Sequence, residues 1–364
     1  MPINRSPALR QRLEAALSAL WQTPRPTLVA RLLQPLSWLY GAIAKQDAAR
    51  QLRRQQRAPV PLIVVGNLVA GGAGKTPTVI ALVALLRRLG HKPGVISRGH
   101  GRQGQGVTEV QRDSDATAVG DEPLLIHRRS GAPVAVGADR LAAARALCAA
   151  HPDITVLVSD DGLQHRRLAR DVQVLVFDDR GAGNGLLLPA GPLREPLPAR
   201  VPAASVVLYT GGRASTALPG HLGQRRLAGA QPLADWWAGQ PMREYGFAAL
   251  RGRPLLAAAA LARPEPFFAM LEAQGLQIER LPLPDHAALS PPPWPAGTKE
   301  VVVTEKDAVK LRPGRTGGAQ VWVAALDFRP DAGFDAAVTS LCASWPTSPN
   351  DTQPAPATDR TPPP

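Results

Sequence analysis

Cysteine is nearly absent: Cys148 and Cys342 stand alone in a chain of 364 residues. The two lie far apart with no ligand-type spacing between them, so no zinc site can be assembled from them, and both read as ordinary buried thiols of a reducing compartment. Aromatic residues make up only 4% and are not interleaved with basic ones. That excludes the stacking-plus-charge pattern of a nucleic-acid surface, although the formal charge is +13. Two kinds of partner remain for the excess charge, an anionic membrane surface or a phosphorylated substrate. Long hydrophobic runs are missing as well. The longest uncharged stretch near the start, Leu32 to Ala44, contains Gln34 and Pro35 and falls short of the roughly 20 apolar residues that a membrane span needs. No internal repeat is present.

What the chain has in quantity is glycine (33) and proline (38), within an ordinary balance of 45% hydrophobic and 20% charged residues. The length suffices for two domains. Arg31, Lys45, Arg50, Arg53 and Arg54 flank apolar residues at helical spacing. This fits either an interfacial helix or a helix packed on its own domain. From residue 60 apolar runs alternate with helical stretches. Val60 to Val65, Gly94 to Ser97, Val134 to Val136, Ile154 to Ser159, Val172 to Phe177 and Ser205 to Tyr209 read as strands. Thr78 to Leu89 and Asp139 to Ala150 read as helices, which predicts a mostly parallel sheet covered on both faces. A looser Gly/Pro/Arg-rich region runs from Gly211 to Arg253. Beyond it, Leu255 to Leu261, the helical Pro266 to Gln274, Glu300 to Thr304 and Gln320 to Ala325 predict a second, smaller α/β unit.

The chemistry concentrates in "GNLVAGGAGKTP", residues 66 to 77. A strand, a Gly-Lys-Thr and a helix in that order make a phosphate-binding P-loop. Backbone N–H groups and the helix N-terminus cradle phosphates, Lys75 reaches the outer ones, and Thr76 serves Mg²⁺. The loop spans Val69, Ala70, Gly71, Gly72, Ala73, Gly74, Lys75 and Thr76. Val69 stands where the standard motif has glycine, so this is the "GGxGKT" variant. Pro77 falls in the first helical turn, where its missing N–H costs little. A second acidic element follows the apolar run 154–159: Asp160 and Asp161. Alone they would be a turn or a cap; beside a GKT loop they point to Mg²⁺.

A kinase, unlike a hydrolase, needs an acceptor pocket and a carboxylate for the hydroxyl proton. "VGDEP" (119–123) offers Asp121 and Glu122, which locally read as an acidic first helical turn. "LPDH" (283–286) is locally a turn with one of seven histidines. From residues alone the reading ends at a basic P-loop phosphotransferase or NTPase.

The order of motifs carries it further. "GNLVAGGAGKTP", "SRGHGR" (97–102), "VGDEP", "SDDGLQHRRLARDVQVLVFD" (159–178), "GNGLLLPAGPLREP" (183–196), "LPDH" and "VVVTEKDAVKL" (301–311) occur in succession. Over roughly residues 15 to 345 the chain resembles the tetraacyldisaccharide 4′-kinase family of lipid A biosynthesis. The resemblance implies transfer of the ATP γ-phosphate to the 4′-hydroxyl of an acylated glucosamine disaccharide 1-phosphate. The product is the 1,4′-bisphosphate lipid IVA, made by a peripheral protein on the anionic cytoplasmic face of the bacterial inner membrane. No protein partner is evident. It implies Lys75 and Thr76 for phosphate and Mg²⁺, Asp160 and Asp161 for the metal, Asp121 as catalytic carboxylate and His286 as its partner from the second domain. It also implies a P-loop NTPase-like domain over 56–245, an N-terminal amphipathic, membrane-associated segment (1–55) belonging to it, a closing α/β domain over 246–345, and a disordered tail (346–364).

The chain departs from the family in three places: His100 where a Tyr is common, Arg166 where an aromatic residue is common, and "AALARPEPFF" (259–268) in place of a glycine-rich segment. Arg98, Arg102 and Arg140 read equally as phosphate contacts or as loop and helix charges. "TEKD" reads locally as a strand-end turn; its adjacent Lys and Asp lack the spacing of a guanine-reading motif. The alternative reading, a P-loop GTPase or ATPase switch of the metallochaperone type, calls for a base-reading motif or Cys/His metal ligands, and the sequence has neither.

Overall fold

The structure, a computed structural model, describes residues 16–348 apart from 18, 24, 242 and 243. The start of the N-terminal segment and residues 349–364 of the expected disordered tail lie outside the described residues. From Leu28 the elements are α1 (Leu28–Arg53), β1 (Leu62–Gly66), α2 (Lys75–Arg88), β2 (Pro93–Ser97), β3 (Thr108–Glu109), α3 (Ala116–Val119), α4 (Asp121–Ser130), β4 (Val134–Val136), α5 (Arg140–Ala150), β5 (Val156–Asp160), β6 (Val172–Phe177) and β7 (Ser205–Tyr209). Then come β8 (His221–Pro232), α6 (Leu233–Ala238), a 3-10 segment (Glu244–Leu250), β9 (Leu255–Ala259), α7 (Glu265–Ala273), β10 (Ile278–Pro282), β11 (Glu300–Thr304), α8 (Glu305–Ala308), β12 (Gln320–Pro330) and α9 (Ala332–Cys342).

Every residue of β1, β2 and β5 is buried, as expected of parallel strands covered on both faces. Successive side chains enter opposite layers. Ile63 and Val65 join Leu82, Val83 and Leu86 of α2 on one face, and Leu62 and Val64 join Ala143, Ala144 and Leu147 of α5 on the other. β1 lies between β5 and β6, parallel to both. The phosphate loop therefore leaves the sheet in its middle, beside the end of β5 that carries Asp160.

The alternation in the sequence locates the strands to within a few residues, and the expected α/β class is the observed one. The region from Gly211 to Arg253, expected to be loose, instead contains β8. This strand pairs with β7 over two residues and then antiparallel with β12 along nearly its whole length, with an irregularity at Ala325/Leu326. It joins all strands into one twelve-stranded sheet, in the order β10-β9-β11-β12-β8-β7-β6-β1-β5-β2-β4-β3. Its pattern is obscured by interior glycines and the adjacent Arg225 and Arg226. Gly223 is required there, since a Cβ would come within 2.4 Å of the Phe328 ring. The apolar layer over α2 continues into Val301, Val303 and Val323, so the two halves share a core as well as a strand.

Helix α1 starts at Thr27, whose side chain accepts the Ala30 N–H at 3.3 Å, a normal N-cap. It packs through small and polar residues. Ser37 Oγ donates to Leu187 O (2.8 Å) and accepts from Ala190 N (3.1 Å), and Tyr40 OH donates to Arg194 O (3.1 Å). Its large apolar side chains point outward: Leu32 is 73% exposed, Trp38 67% and Leu39 58%. An isolated exposed leucine means little, but a contiguous row along one helix does. Among the described residues no helix is long and apolar enough to cross a membrane.

Candidate active site

The phosphate loop is braced from beneath by a residue that the motif does not include. Asn67 is fully buried. Its Nδ2 donates to the carbonyls of Val69 (2.6 Å) and Gly71 (3.0 Å), while its Oδ1 accepts from Lys75 Nζ at 3.1 Å. Lys75 also stands 3.6 Å from Asp161 Oδ2. Thr210 Oγ1 donates to Ala73 O (2.9 Å) and Arg180 Nη2 to Gly72 O (2.6 Å). Ala70 N donates to Pro192 O (2.8 Å). Gly74 caps α2 at φ 86°; any Cβ there would meet the Arg225 guanidinium at 2.3 Å, so both backbone and space demand glycine. Val69 is buried and bridges to Leu193, which is why an apolar residue replaces the usual glycine. Thr76 is half-buried in the first turn of α2, and its hydroxyl has no protein partner among the described residues.

At the end of β5, Asp160 is 1% exposed. Ser97 Oγ donates to its Oδ2 at 3.4 Å, while its Oδ1 is buried without a partner. Burial, with the charges of Glu122 and Asp161 nearby, holds its carboxyl well above the ordinary range, against the pull of Lys75 and Arg140. Asp161 takes the left-handed conformation at φ 50°. Its Oδ1 likewise lacks a hydrogen bond and lies 3.6 Å from Arg194 Nη1. Two carboxylate oxygens without hydrogen-bond partners suit a hard divalent cation. Among the described residues no three acidic, His or Cys side chains converge into a self-sufficient metal cage. Mg²⁺ commonly takes one or two carboxylates and completes its shell with phosphate and water, so it would fit these residues. Arg140 is buried, donates to Gly137 O (3.2 Å) and faces the aspartates. Arg102 is spent on its own loop, on Gly106 O, Thr108 and Val136 O, and Arg98 is exposed.

Across the cleft, Asp121 opens α4 and is 6% exposed. His286 Nδ1 lies 2.9 Å from its Oδ2, and the Glu122 N–H donates to its Oδ1, also at 2.9 Å. The two residues are 165 positions apart. Their meeting, which the sequence could assign only to domain closure, is already made in this structure. Two lysines that the sequence reading passed over complete the group. Lys310 Nζ is 3.7 Å from Asp121 Oδ2, and Lys306 Nζ is 3.2 Å from Glu122 Oε1 and 3.4 Å from Asp285 Oδ1. Burial would raise the Asp121 carboxyl, but the hydrogen bond from His286 and the charges of Lys306 and Lys310 outweigh it and hold it at about 2. "TEKD" is indeed a strand-end turn. Thr304 caps α8 by accepting from Asp307 N (3.2 Å), and fully buried Asp307 accepts from Ala260 N (3.1 Å). The i, i+4 spacing of Lys306 and Lys310 was the available signal, since it puts both on one side of a helical turn.

Fold and site together define a P-loop phosphotransferase: a phosphate loop at the centre of a parallel sheet, faced by orphaned acidic oxygens and by a buried carboxylate–histidine pair. The family model described as tetraacyldisaccharide-1-P 4′-kinase matches residues 29–343, and the chain belongs to that family of kinases. It is 55% identical over 342 residues to the tetraacyldisaccharide 4′-kinase of Methylibium petroleiphilum, covering 92% of this chain and 95% of that one. The tetraacyldisaccharide 4′-kinase of Leptothrix cholodnii is 52% identical over 324 residues, covering 87% and 92%. Among solved structures, LpxK from Aquifex aeolicus, crystallised with ATP, matches with a TM-score of 0.70 and 24% identity over 86% of this chain and 99% of that one; the likeness is one of fold. The family match favours the kinase reading over the nucleotide-switch alternative.

Lys75→Ala should abolish phosphate transfer, because the loop loses its cation for the outer phosphates. Asn67→Ala, which leaves Lys75 in place but unbraced, should lower kcat by about 10²-fold, the scale of a misplaced reacting group, while the protein stays folded by circular dichroism. Near-normal kcat in Lys75→Ala would show that phosphate is held elsewhere, and near-normal kcat in Asn67→Ala would show that the loop keeps its shape without this brace.

Proposed function

We propose that this chain transfers the γ-phosphate of ATP to the 4′-hydroxyl of a tetraacylated glucosamine disaccharide 1-phosphate, with Asp121 and His286 handling the acceptor proton. The observation that carries the assignment of residues is the 2.9 Å contact between Asp121 Oδ2 and His286 Nδ1. The backbone of residues 69–74 and the N-terminus of α2 receive the phosphates, and Lys75 swings from Asn67 and Asp161 toward the outermost one. Thr76, Asp160 and Asp161 are the residues that would hold Mg²⁺, which supplies charge neutralisation on the phosphate oxygens when bound.

The acceptor oxygen attacks phosphorus as the bond to the leaving diphosphate breaks, and the hydroxyl proton passes to Asp121. A carboxylate held at about 2 is ionised at any working pH but is a weak base. It suits a loose transition state, in which the acceptor becomes acidic only as the new bond forms. Its main contributions are position and a fixed negative charge. Binding across both halves of the chain excludes water, the competing acceptor.

The same reading puts the enzyme at the surface that carries its lipid substrate. The outward row Leu28, Leu32, Leu36, Leu39 and Ile43, with Trp38 beside it and exposed Arg31, Lys45, Arg50, Arg53 and Arg54, supports peripheral docking on an anionic leaflet, the cytoplasmic face of the inner membrane. Each such side chain fully buried in the interface contributes about 1.5–3 kcal/mol, and the basic residues add electrostatic attraction.

Incubation with γ-³²P-labelled ATP and the disaccharide 1-phosphate in mixed micelles should yield a labelled bisphosphate bearing the new phosphate at the 4′ position. Label released only as inorganic phosphate, or esterified elsewhere, would contradict the proposal. Replacing Leu32, Trp38 and Leu39 together by Glu should abolish flotation with anionic liposomes and leave transfer to micellar substrate measurable; undiminished flotation would assign docking to another surface.

A further inference from the structure

Lys306 touches three groups of the dyad's surroundings at once. Its Nζ lies 3.2 Å from Glu122 Oε1, 3.4 Å from Asp285 Oδ1 and 3.5 Å from His286 Nε2, and its side chain is only 17% exposed. An ammonium group can donate but not accept, so the ring nitrogen facing it presents a lone pair. On the other side of the ring, Nδ1 faces the Asp121 carboxylate, which only accepts, so Nδ1 carries the proton. Both contacts are satisfied together only by the neutral Nδ1–H tautomer. Asp285 Oδ1 also stands near Nε2, but at 3.8 Å, farther than the lysine at 3.5 Å. An imidazolium would therefore set its Nε2–H against the nearer ammonium, donor against donor and charge against like charge. Lys306 also reaches the backbone of His286. Asp285 Oδ1 accepts the His286 N–H at 3.0 Å as well as the lysine, and His286 occupies the left-handed region at φ 58°, which a non-glycine residue keeps only with support.

We propose that Lys306 is a positioning residue of the kinase reaction: it holds His286 as the neutral Nδ1–H tautomer and fixes its backbone, so that Asp121 keeps its full negative charge for the acceptor proton. This rests on the kinase reading above and adds a residue that the reading leaves idle. The groups that face His286 are Asp121 from α4, Lys306 from α8, Asp285 from its own loop and the His100 ring at 5.6 Å from the loop after β2. Lys310 stands behind, on Asp121. The hydrogen bond to Asp121, helped by the charges of Asp121 and Asp285, raises the proton affinity of His286 above that of an ordinary imidazole, and burial and the charge of Lys306 limit the rise. Without that charge the ring takes up a proton at higher pH. Activity that requires the neutral ring then fails at higher pH, and the acid limb of the rate profile moves upward.

The test follows kcat against pH for the full-length wild type, Lys306→Met and Lys306→Arg, and titrates the His286 imidazole by NMR in the same proteins. In Lys306→Met both the acid limb and the His286 titration should move up by about one pH unit, the scale of a lost like charge. KM for ATP should stay within about twofold, since no nucleotide contact is removed, and Lys306→Arg should return both midpoints toward wild type. An unmoved His286 titration in Lys306→Met, or a kcat lowered by one factor at every pH, would overturn the proposal. A wild type that transfers no phosphate would instead overturn the kinase reading, and the NMR titration would still decide the tautomer.

Discussion

The contact between Asp121 and His286 ties a buried carboxylate of one half of the chain to a residue 165 positions away in the other. A carboxylate as buried as Asp121 must find compensation or cease to be charged, and little of that compensation comes from its own half of the chain. The Glu122 N–H is local; His286, Lys306 and Lys310 arrive on the loop after β10 and on the turn after β11. Asp121, Glu122 and Asp285 face Lys306, Lys310 and His286, so the cluster nearly balances only when the two halves are together. Removing one partner would leave the buried charge uncompensated, the costly way to break an ion pair.

Further contacts between the halves gather on the same helix. Arg128 of α4 lies over the rings of Trp236 and Trp237 on α6. That helix directly follows the strand β8 paired with β12 and so packs with the second half although it precedes the expected boundary at 245. The guanidinium carbon of Arg128 is 4.5 and 4.1 Å from the two ring centroids, and Arg128 donates to the carbonyls of both residues. Arg129 pairs with Glu305, which also accepts from Trp236 Nε1 at 3.1 Å. In the opposite direction Arg312 stacks on Trp237 and donates to the carbonyls of Asp113 and Ser114. Cation–π contacts of partly desolvated arginines are worth about 0.5–2 kcal/mol each. Helix α4 thus carries the acceptor-side carboxylate at one end and a clamp on the second half at the other. On the proposed assignment of Asp121, such coupling favours a sugar hydroxyl over water, because the carboxylate is complete only when both halves contribute to it.

How much of this could be read from residues alone depended on how local the cause was. Gly74, Lys75 and Thr76 lie within one turn of chain behind an apolar strand, and the loop is where that order put it. Asn67 lies in the same quoted stretch and was passed over, because its role depends on carbonyls that the loop brings back above it. The antiparallel strand β8 has no alternating pattern, since Gly223 answers to the Phe328 ring rather than to a core face. In α1 the sequence could not say which side turns outward. Small and polar Ser37 and Tyr40 face inward because the 187–194 segment offers them backbone partners, and this displaces the leucines to the surface. The dyad left no local trace. Asp121 is a helix start and His286 a turn until a contact across 165 positions joins them, and only the resemblance to a family had paired them.

The central claim is that Asp121 and His286 act as one unit across the two halves, and a double-mutant cycle tests it most directly. kcat for transfer to the disaccharide 1-phosphate is measured for wild type, Asp121→Ala, His286→Ala and the double variant. Each single change should lower kcat by roughly 10²-fold or more, the scale of general-base catalysis, with ATP affinity intact, and the double variant should be little worse than either, as for residues that work as a unit. Losses that multiply in the double variant, or an Asp121→Ala variant that mainly fails to bind ATP, would contradict the account.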